Sequence, residues 1–261
     1  MANAEVIAQA TTRMTRMRVE QQGRERHLKF ERDTDAVQSA IDMQQPSKLV
    51  MENLQYLMGL LLFVPAPRKV LLLGVGGGSL IHFLRAHLPN THIIAVEYDA
   101  ELLEFAQQHL ALPAADEHLT YYIEDARRFV EHDKQLYDLV LVDIFDAGAT
   151  PPWMRRKPFN ASLQQRLSAH GALGYNLIID SEPTFKRFYQ MLRSQYRQQT
   201  LCLETEEYAN LLVYALNYSA PSLTMAQILD QCLELGDQFD LPFVEIVASI
   251  FRVNPQGSGI I

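Results

Sequence analysis

The stretch KVLLLGVGGGS, residues Lys69–Ser79, decides the fold of this chain. A short apolar run that ends in glycine and leads into a helical pattern predicts a buried strand turning tightly into a helix. Glycine lets the backbone turn and approach a ligand closely. Four glycines in five residues are more than a turn requires, so the sequence predicts that Gly74, Gly76, Gly77 and Gly78 contact a bound ligand.

Apolar strands and helical patterns alternate on the C-terminal side of this loop. Strands are predicted at 92–97, 119–123, 137–143 and 171–178, and a hairpin at 199–204 and 209–217 closes the series. Continuous apolar strands separated by helices indicate a parallel sheet covered on both faces. The sequence therefore predicts a doubly wound, Rossmann-like class I methyltransferase fold over residues 46–261, with a mostly parallel seven-stranded sheet.

The N-terminal part is predicted to be a small β region over residues 1–45. A hairpin is expected around Gln22-Gly23, with one more short strand at 36–41, and the first twelve residues are expected to fray. A helix is predicted to open at Pro46 and to run through Leu62. The exposed edge of the hairpin predicts a homodimer.

Composition excludes several classes of protein. The 261 residues carry a net charge of −8, which argues against a nucleic-acid binder and is compatible with a cationic ligand. Two cysteines cannot build a disulfide framework or a cysteine-rich zinc site, and the histidines lack ligand spacing, so no metal is predicted. With neither a signal-peptide pattern nor a stretch that could span a membrane, the expected location is the cytoplasm.

Acidic residues follow three of the predicted strands, where such sheets bind ligands. Glu97 lies about 20 residues after the glycine loop, the spacing of a ribose-binding acid, and Tyr98 could cover a base or pack in the core. In the pair Glu124-Asp125, Asp125 could accept an adenine amino group, cap the next helix, or do both.

Asp143 and Asp146 follow the fourth strand and precede a loop with one glycine and two prolines. This arrangement predicts an acidic cup beneath a lid. The glycine loop alone fits NAD as well as S-adenosylmethionine. The Glu-Asp-Ala sequence and the antiparallel end of the sheet favour S-adenosylmethionine, and a Tyr-x-x-x-Lys pair of the nicotinamide type is not found at Tyr196.

These motifs together resemble the polyamine aminopropyltransferases, the spermidine synthase family, and within it the spermidine synthase-like branch. Gly74–Ser79 stands where the family has GGGDGG, Val96–Asp99 where it has VEID, and Glu124–Ala126 where it has GDG or GDA. Asp143–Ala147 corresponds to D-S-[ST]-D-P, and His170–Asn176 to GGxLxxQ. The resemblance covers residues 47 to 220.

The resemblance implies a transferase that acts on decarboxylated S-adenosylmethionine and a small-molecule amine or polyamine. Asp143 would accept the proton of the attacking amine and also contact the donor. Asp146 would hold the cationic amine or the aminopropyl ammonium, Glu97 would bind the ribose, and Asp125 the adenine. A carboxylate in a closed cleft suits an ammonium ion.

The amine side of the resemblance is only partly present, which predicts an atypical amine pocket. Gly77 stands where the family has an aspartate, and Val50–Asn53 replaces Tyr-His-Glu-Met, so only Glu52 is kept. Gln38 is loosely aligned with a family glutamine. Glu52, Gln38, Asp146 and Asn176 are the substrate-binding residues that the resemblance implies.

Three other functions stay open at this point. One is a methyltransferase that uses intact S-adenosylmethionine on a small molecule, since Gly77 would leave room for the carboxylate of that donor. Another is a non-catalytic nucleoside-binding protein, against which Asp143 and Asp146 count, because nucleoside binding does not need both. The last is an NAD enzyme.

Overall fold

The computed structural model describes residues 4–31, 37–146, 148–179, 181–255, 257 and 260. The chain opens with a four-stranded antiparallel sheet in the order β1-β2-β3-β4. Its strands are β1 (Glu5–Thr11), β2 (Arg16–Gln22), β3 (Glu25–Phe30) and β4 (Val37–Asp42). β2 and β3 form the expected hairpin, β4 is the expected short strand, and β1 is an additional strand. Because β1 pairs with β2 along its length, the predicted fraying of this segment is wrong. The backbone ladder orders β1 although most of its side chains are exposed.

A seven-stranded sheet forms the centre of the rest of the chain, in the order β10-β11-β9-β8-β5-β6-β7. β11 runs antiparallel to both of its neighbours, β10 and β9, and the other neighbouring strands pair in parallel. The strands are β5 (Lys69–Leu73), β6 (His92–Glu97), β7 (Leu119–Ile123), β8 (Tyr137–Val142), β9 (Leu167–Leu177), β10 (Thr200–Glu204) and β11 (Leu211–Leu216). The predicted fold class is confirmed, including the antiparallel closing strand.

Helices cover both faces of this sheet, as its apolar strands require. They are α1 (Glu52–Leu57), α2 (Ser79–His87), α3 (Ala100–His109), α4 (Ala126–His132), α5 (Lys157–Gln165), α6 (Glu182–Gln195), α7 (Met225–Phe239) and α8 (Phe243–Val253), with 3-10 turns at Met58–Leu62 and Pro152–Arg155. None of the described helices is long and apolar enough to cross a membrane.

The first helix begins later than the sequence predicts. Leu49 forms an antiparallel β-bridge with Ile41 instead of lying in a helix, and α1 starts at Glu52. The helix prediction at Pro46 is therefore wrong by about one and a half turns. The backbone of this segment extends β4 pairing before it turns into α1, a long-range contact that local periodicity does not contain.

The four-stranded sheet is attached to α2 and α3 by apolar packing and by polar contacts. Met17, Val19 and Leu28 belong to the same buried cluster as the helices beside β5. The Arg13 amide donates to the Glu101 carboxylate over 3.0 Å, and the Arg26 guanidinium donates to the His109 carbonyl over 2.6 Å. The hydroxyls of Ser39 in β4 and Ser79 in α2 lie 3.0 Å apart. These contacts hold the N-terminal sheet against α2 and α3, next to the glycine loop.

Candidate active site

A cavity of about 410 Å³ opens at the carboxyl ends of β5, β6 and β8, where the strand order reverses. This is the position at which doubly wound sheets bind their ligands. Nine of the residues that the sequence predicted for a site line this cavity: Gln38, Gly74, Gly76, Glu97, Tyr98, Glu124, Asp125, Asp143 and Asp146.

The glycine loop divides its residues between the cavity and the protein interior. Gly74 has a φ of +89°, and a Cβ there would lie 2.2 Å from the carbonyl oxygen of Asp143. Only glycine therefore allows the ends of β5 and β8 to come so close. A Cβ at Gly77 would lie 2.5 Å from the Ser39 Oγ, and one at Gly78 would lie 2.3 Å from a Leu112 methyl group. Gly77 and Gly78 face these side chains and do not line the cavity.

The Glu97 carboxylate lies under the glycine loop and binds backbone amides. It accepts the N–H of Val75 over 3.0 Å, that of Tyr98 over 2.8 Å and that of Asp99 over 3.1 Å. Burial raises the pKa of Glu97, and these amide donors act in the opposite direction. A carboxylate has about four acceptor sites, and the Gly76 amide also acts on Glu97, so backbone amides take up most of its acceptor capacity while it fixes the loop.

Asp125 caps α4 and is also paired with Arg127. Its carboxylate accepts the Arg127 N–H over 2.8 Å and the Arg127 Nε over 2.9 Å, and it contacts the Arg127 Nη2. This guanidinium lowers the pKa of Asp125. Arg127 lies 5.0 Å from the centre of the Trp153 ring, and the edge of Trp153 packs on Phe159. Arg127 and Trp153 both line the cavity, so a charged and an aromatic side chain stand beside Asp125.

Asp143 lies at the end of β8, beside the glycine loop, and binds one side chain. The Asn176 Nδ2 donates to the Asp143 Oδ1 over 2.9 Å. Burial raises the pKa of Asp143 to about 6, and the bond from Asn176 acts in the opposite direction. A carboxyl group that titrates near neutral pH is suited to exchange a proton with a bound ligand.

The cavity is strongly acidic. Among the described residues, Arg127 is the one cationic side chain that lines it. Six carboxylates line it: Glu97, Asp99, Glu124, Asp125, Asp143 and Asp146. Such a cleft concentrates cationic ligands. In the described part of the chain, no group of three or more His, Cys, Asp or Glu side chains is arranged to hold a metal ion.

The N-terminal sheet forms one wall of the cavity through residues that sequence reasoning missed. Met14, Thr15 and Phe30 line it together with Gln38. Nothing in their local sequence marks them, because they reach the cavity only through the packing of this sheet on α2 and α3. Arg127 was missed as well, although it stands two residues after Asp125.

Two of the predicted substrate-binding residues lie outside the cavity lining. The Glu52 carboxylate accepts the N–H of Glu206 over 3.0 Å and that of Glu207 over 2.8 Å, so it binds the connection between β10 and β11. Asn176 lies behind Asp143, where its amide bonds to Asp143 and to Asn210. Neither side chain is among those that line the cavity.

One family model matches part of this chain. Residues 54–175 match the model of the spermine/spermidine synthase domain. The polyamine aminopropyltransferase of Neisseria meningitidis serogroup A is 26% identical over 223 residues, which cover 85% of this chain and 84% of that protein. The polyamine aminopropyltransferase of Chromobacterium violaceum is 26% identical over 254 residues, covering 97% and 96%. The solved structure of a probable spermidine synthase from Corynebacterium glutamicum has the same fold, with a TM-score of 0.76 at 15% identity over 97% and 96% of the two chains.

Proposed function

We propose that this chain, whose residues 54–175 match the spermine/spermidine synthase domain, is a transferase that moves the aminopropyl group of decarboxylated S-adenosylmethionine to an amine acceptor. The observation that carries this proposal is the position of Asp143, a carboxyl group with a raised pKa at the bottom of an acidic cleft. An acidic cleft suits a substrate pair in which both partners are cationic.

The donor would bind with its nucleoside at the ends of β6 and β7. Glu97 lines the cavity, where a ribose hydroxyl could donate to it, and the Asp125 carboxylate stands where an adenine amino group could donate to it. Most acceptor sites of Asp125 are already filled by Arg127, so we expect at most one further hydrogen bond to that carboxylate. Trp153 and Tyr98 supply apolar surface beside it.

In the proposed reaction, the lone pair of an unprotonated acceptor nitrogen attacks the carbon next to the sulfonium sulfur. A C–N bond forms and the C–S bond breaks, its electron pair going to sulfur, and methylthioadenosine leaves. The surplus proton of the nitrogen passes to the Asp143 carboxylate. Because the sulfonium is already a good leaving group, the protein mainly orients the two substrates and removes this proton.

The acceptor would lie between Asp143, Asp146 and the wall formed by the N-terminal sheet. Asp146 offers a carboxylate to an ammonium group, and Gln38 offers an amide. We propose that this amine pocket is atypical for the family. Gly77 stands in place of the family aspartate and has its Cβ position filled by Ser39, and Glu52 binds backbone amides away from the cavity.

The test is product analysis by mass spectrometry, with decarboxylated or intact S-adenosylmethionine and a panel of monoamines, diamines and polyamines. Methylthioadenosine together with an amine that has gained one aminopropyl unit, from the decarboxylated donor alone, supports the proposal. A methylated amine and S-adenosylhomocysteine from the intact donor would identify a methyltransferase instead. Tight nucleoside binding with no product from either donor would indicate a binding protein.

We also propose that the protein is a homodimer. β1 is an edge strand of the N-terminal sheet, and its Val6 and Ile7 side chains are exposed. Unpaired edges of this kind favour pairing with another strand. Sedimentation equilibrium of the protein should give twice the mass of the chain, and the mass of one chain would contradict this.

A further inference from the structure

Two asparagine side chains form a buried relay behind Asp143. The Asn210 Nδ2 donates to the Asn176 Oδ1 over 2.8 Å, and the Asn176 Nδ2 donates to the Asp143 Oδ1 over 2.9 Å. Asn176 is 1% exposed and Asn210 is 6% exposed. Asn210 does not line the cavity, and therefore it has no direct contact with a substrate there.

The register of three strands builds this relay. Val142 of β8 pairs with Tyr175 of β9, so Asp143 comes opposite Asn176. Asn176 in turn pairs with Leu212 of β11, and Asn210 lies two residues before Leu212. Because side chains alternate along a strand, Asn210 projects on the same face as Leu212 and reaches Asn176 diagonally.

The relay decides which end of the Asn176 amide faces Asp143. An asparagine side chain has a donating end and an accepting end, which exchange places when the amide turns over. With the donor of Asn210 on its oxygen, Asn176 must present its nitrogen to Asp143. Without that donor, the Asn176 oxygen could turn toward Asp143, where two acceptors would repel each other and a buried polar group would lose its partner.

We propose that Asn210 is a positioning residue for the transfer reaction, acting through Asn176 to hold the Asp143 carboxylate in its orientation and charge state. The inference rests on the proposed role of Asp143 as the proton acceptor. Asn210 touches neither substrate, and its contribution is the direction of one amide.

The charged side chains around Asp143 are not the cause of its altered pKa. The titratable side chains that share its cavity are Glu97, Tyr98, Asp99, Glu124, Asp125, Arg127 and Asp146. From β9 the uncharged amide of Asn176 donates to Asp143, and the uncharged amide of Asn210, next to β11, donates to Asn176. Burial and the Asn176 bond are the two causes of its altered pKa, so loss of that bond should raise the pKa further.

The experiment compares the wild-type chain with Asn210→Leu and Asn210→Ala, which remove the donor with and without keeping the side-chain volume. Asn217→Ala is the matched control, because Asn217 follows the other end of β11 and donates to the Ser168 carbonyl over 3.0 Å. For both Asn210 variants we expect kcat to fall about tenfold near neutral pH. The acid limb of the pH–kcat profile should move up by about 0.5–1 pH unit. KM for the donor and the control variant should stay as in the wild type.

A second measurement does not depend on turnover. The carboxyl carbon of Asp143 can be followed by ¹³C NMR, assigned by its absence in Asp143→Asn, and should titrate at higher pH in both Asn210 variants. An unchanged titration in folded variants would overturn the inference, as would lower stability with an unchanged pH–kcat profile. If the pKa of Asp143 rises in the Asn210 variants but the wild type transfers no aminopropyl group, the effect of Asn210 on Asp143 is supported and the proposed function is wrong.

Discussion

The guanidinium of Arg127 lies 5.0 Å from the centre of the Trp153 ring and links α4 to the segment after β8. Trp153 is the single tryptophan of the chain and lines the cavity. Its fluorescence is therefore a direct probe of occupancy. We expect methylthioadenosine to change Trp153 emission in a saturable way.

Arg127→Met should weaken that binding about two- to fivefold, since an exposed cation–π contact contributes about 0.5–1 kcal/mol. Arg128→Met is the matched control, because Arg128 is the next residue and is exposed without lining the cavity. Equal effects of the two substitutions in a fluorescence titration would show that Arg127 has no special part in nucleoside binding.

Asp143→Asn separates chemistry from binding. The substitution keeps the size of the side chain and an oxygen that can accept from Asn176, but it removes the group that takes the proton. We expect kcat to fall by about 10²–10⁴, while the dissociation constant of the donor, measured by calorimetry, changes less than about threefold. Equal losses in turnover and donor binding would contradict the catalytic role of Asp143.

The pH dependence follows from the pKa of Asp143, which burial raises to about 6. The carboxylate must be ionised to accept a proton, so kcat should decrease about tenfold per pH unit below that value. A buffer-matched pH–kcat profile measures this. A profile that stays flat down to pH 5 would show that no group with this pKa is needed in its ionised form.

The same pKa has a consequence for stability with a definite sign. Because the folded-state pKa of Asp143 lies above its unfolded value of 3.8, ionisation opposes folding. This cost is complete above about pH 6 and declines to nothing as the pH falls from there to about 3.8. Asp143→Asn should therefore raise the free energy of unfolding by about 1–3 kcal/mol at pH 8, with little gain at about pH 4. Denaturant titrations at the two pH values measure this difference, and an equal effect of the substitution at both would show that burial of this charge costs no stability.

Ser39 occupies the space that a side chain at position 77 would need. A Cβ there would lie 2.5 Å from the Ser39 Oγ and 2.7 Å from the Ser39 Cβ. Gly77→Ala should lower the free energy of unfolding by about 1–3 kcal/mol, and Ser39→Gly should recover part of that loss in the double variant. Additive effects in this double-mutant cycle would mean that Ser39 does not limit position 77.

Glu52 is expected to act on stability and not on amine binding. Its carboxylate accepts the amides of Glu206 and Glu207, so Glu52→Ala should lower the free energy of unfolding by about 1–3 kcal/mol. KM for the amine should not change. Glu104→Ala, an exposed glutamate of α3, is the control. A raised KM with unchanged stability would assign Glu52 to the acceptor site after all.

The sequence by itself determined the order of strands and helices and the acids that follow the strands. Local hydrophobic periodicity reports which segments are buried, and parallel strands bring their carboxyl ends to one edge of the sheet. Glu97, Asp125 and Asp143 could therefore be assigned to one cavity from the motif order alone.

Only the tertiary structure decided what each side chain touches. Glu52 stands in a family-like motif, yet its carboxylate turns to a loop more than 150 residues away. Asn210 reaches Asn176 through strand register, and Phe30 reaches the cavity through the docking of a separate sheet. Such contacts depend on register and packing between segments far apart in the chain, which a local pattern of apolar and polar residues does not specify.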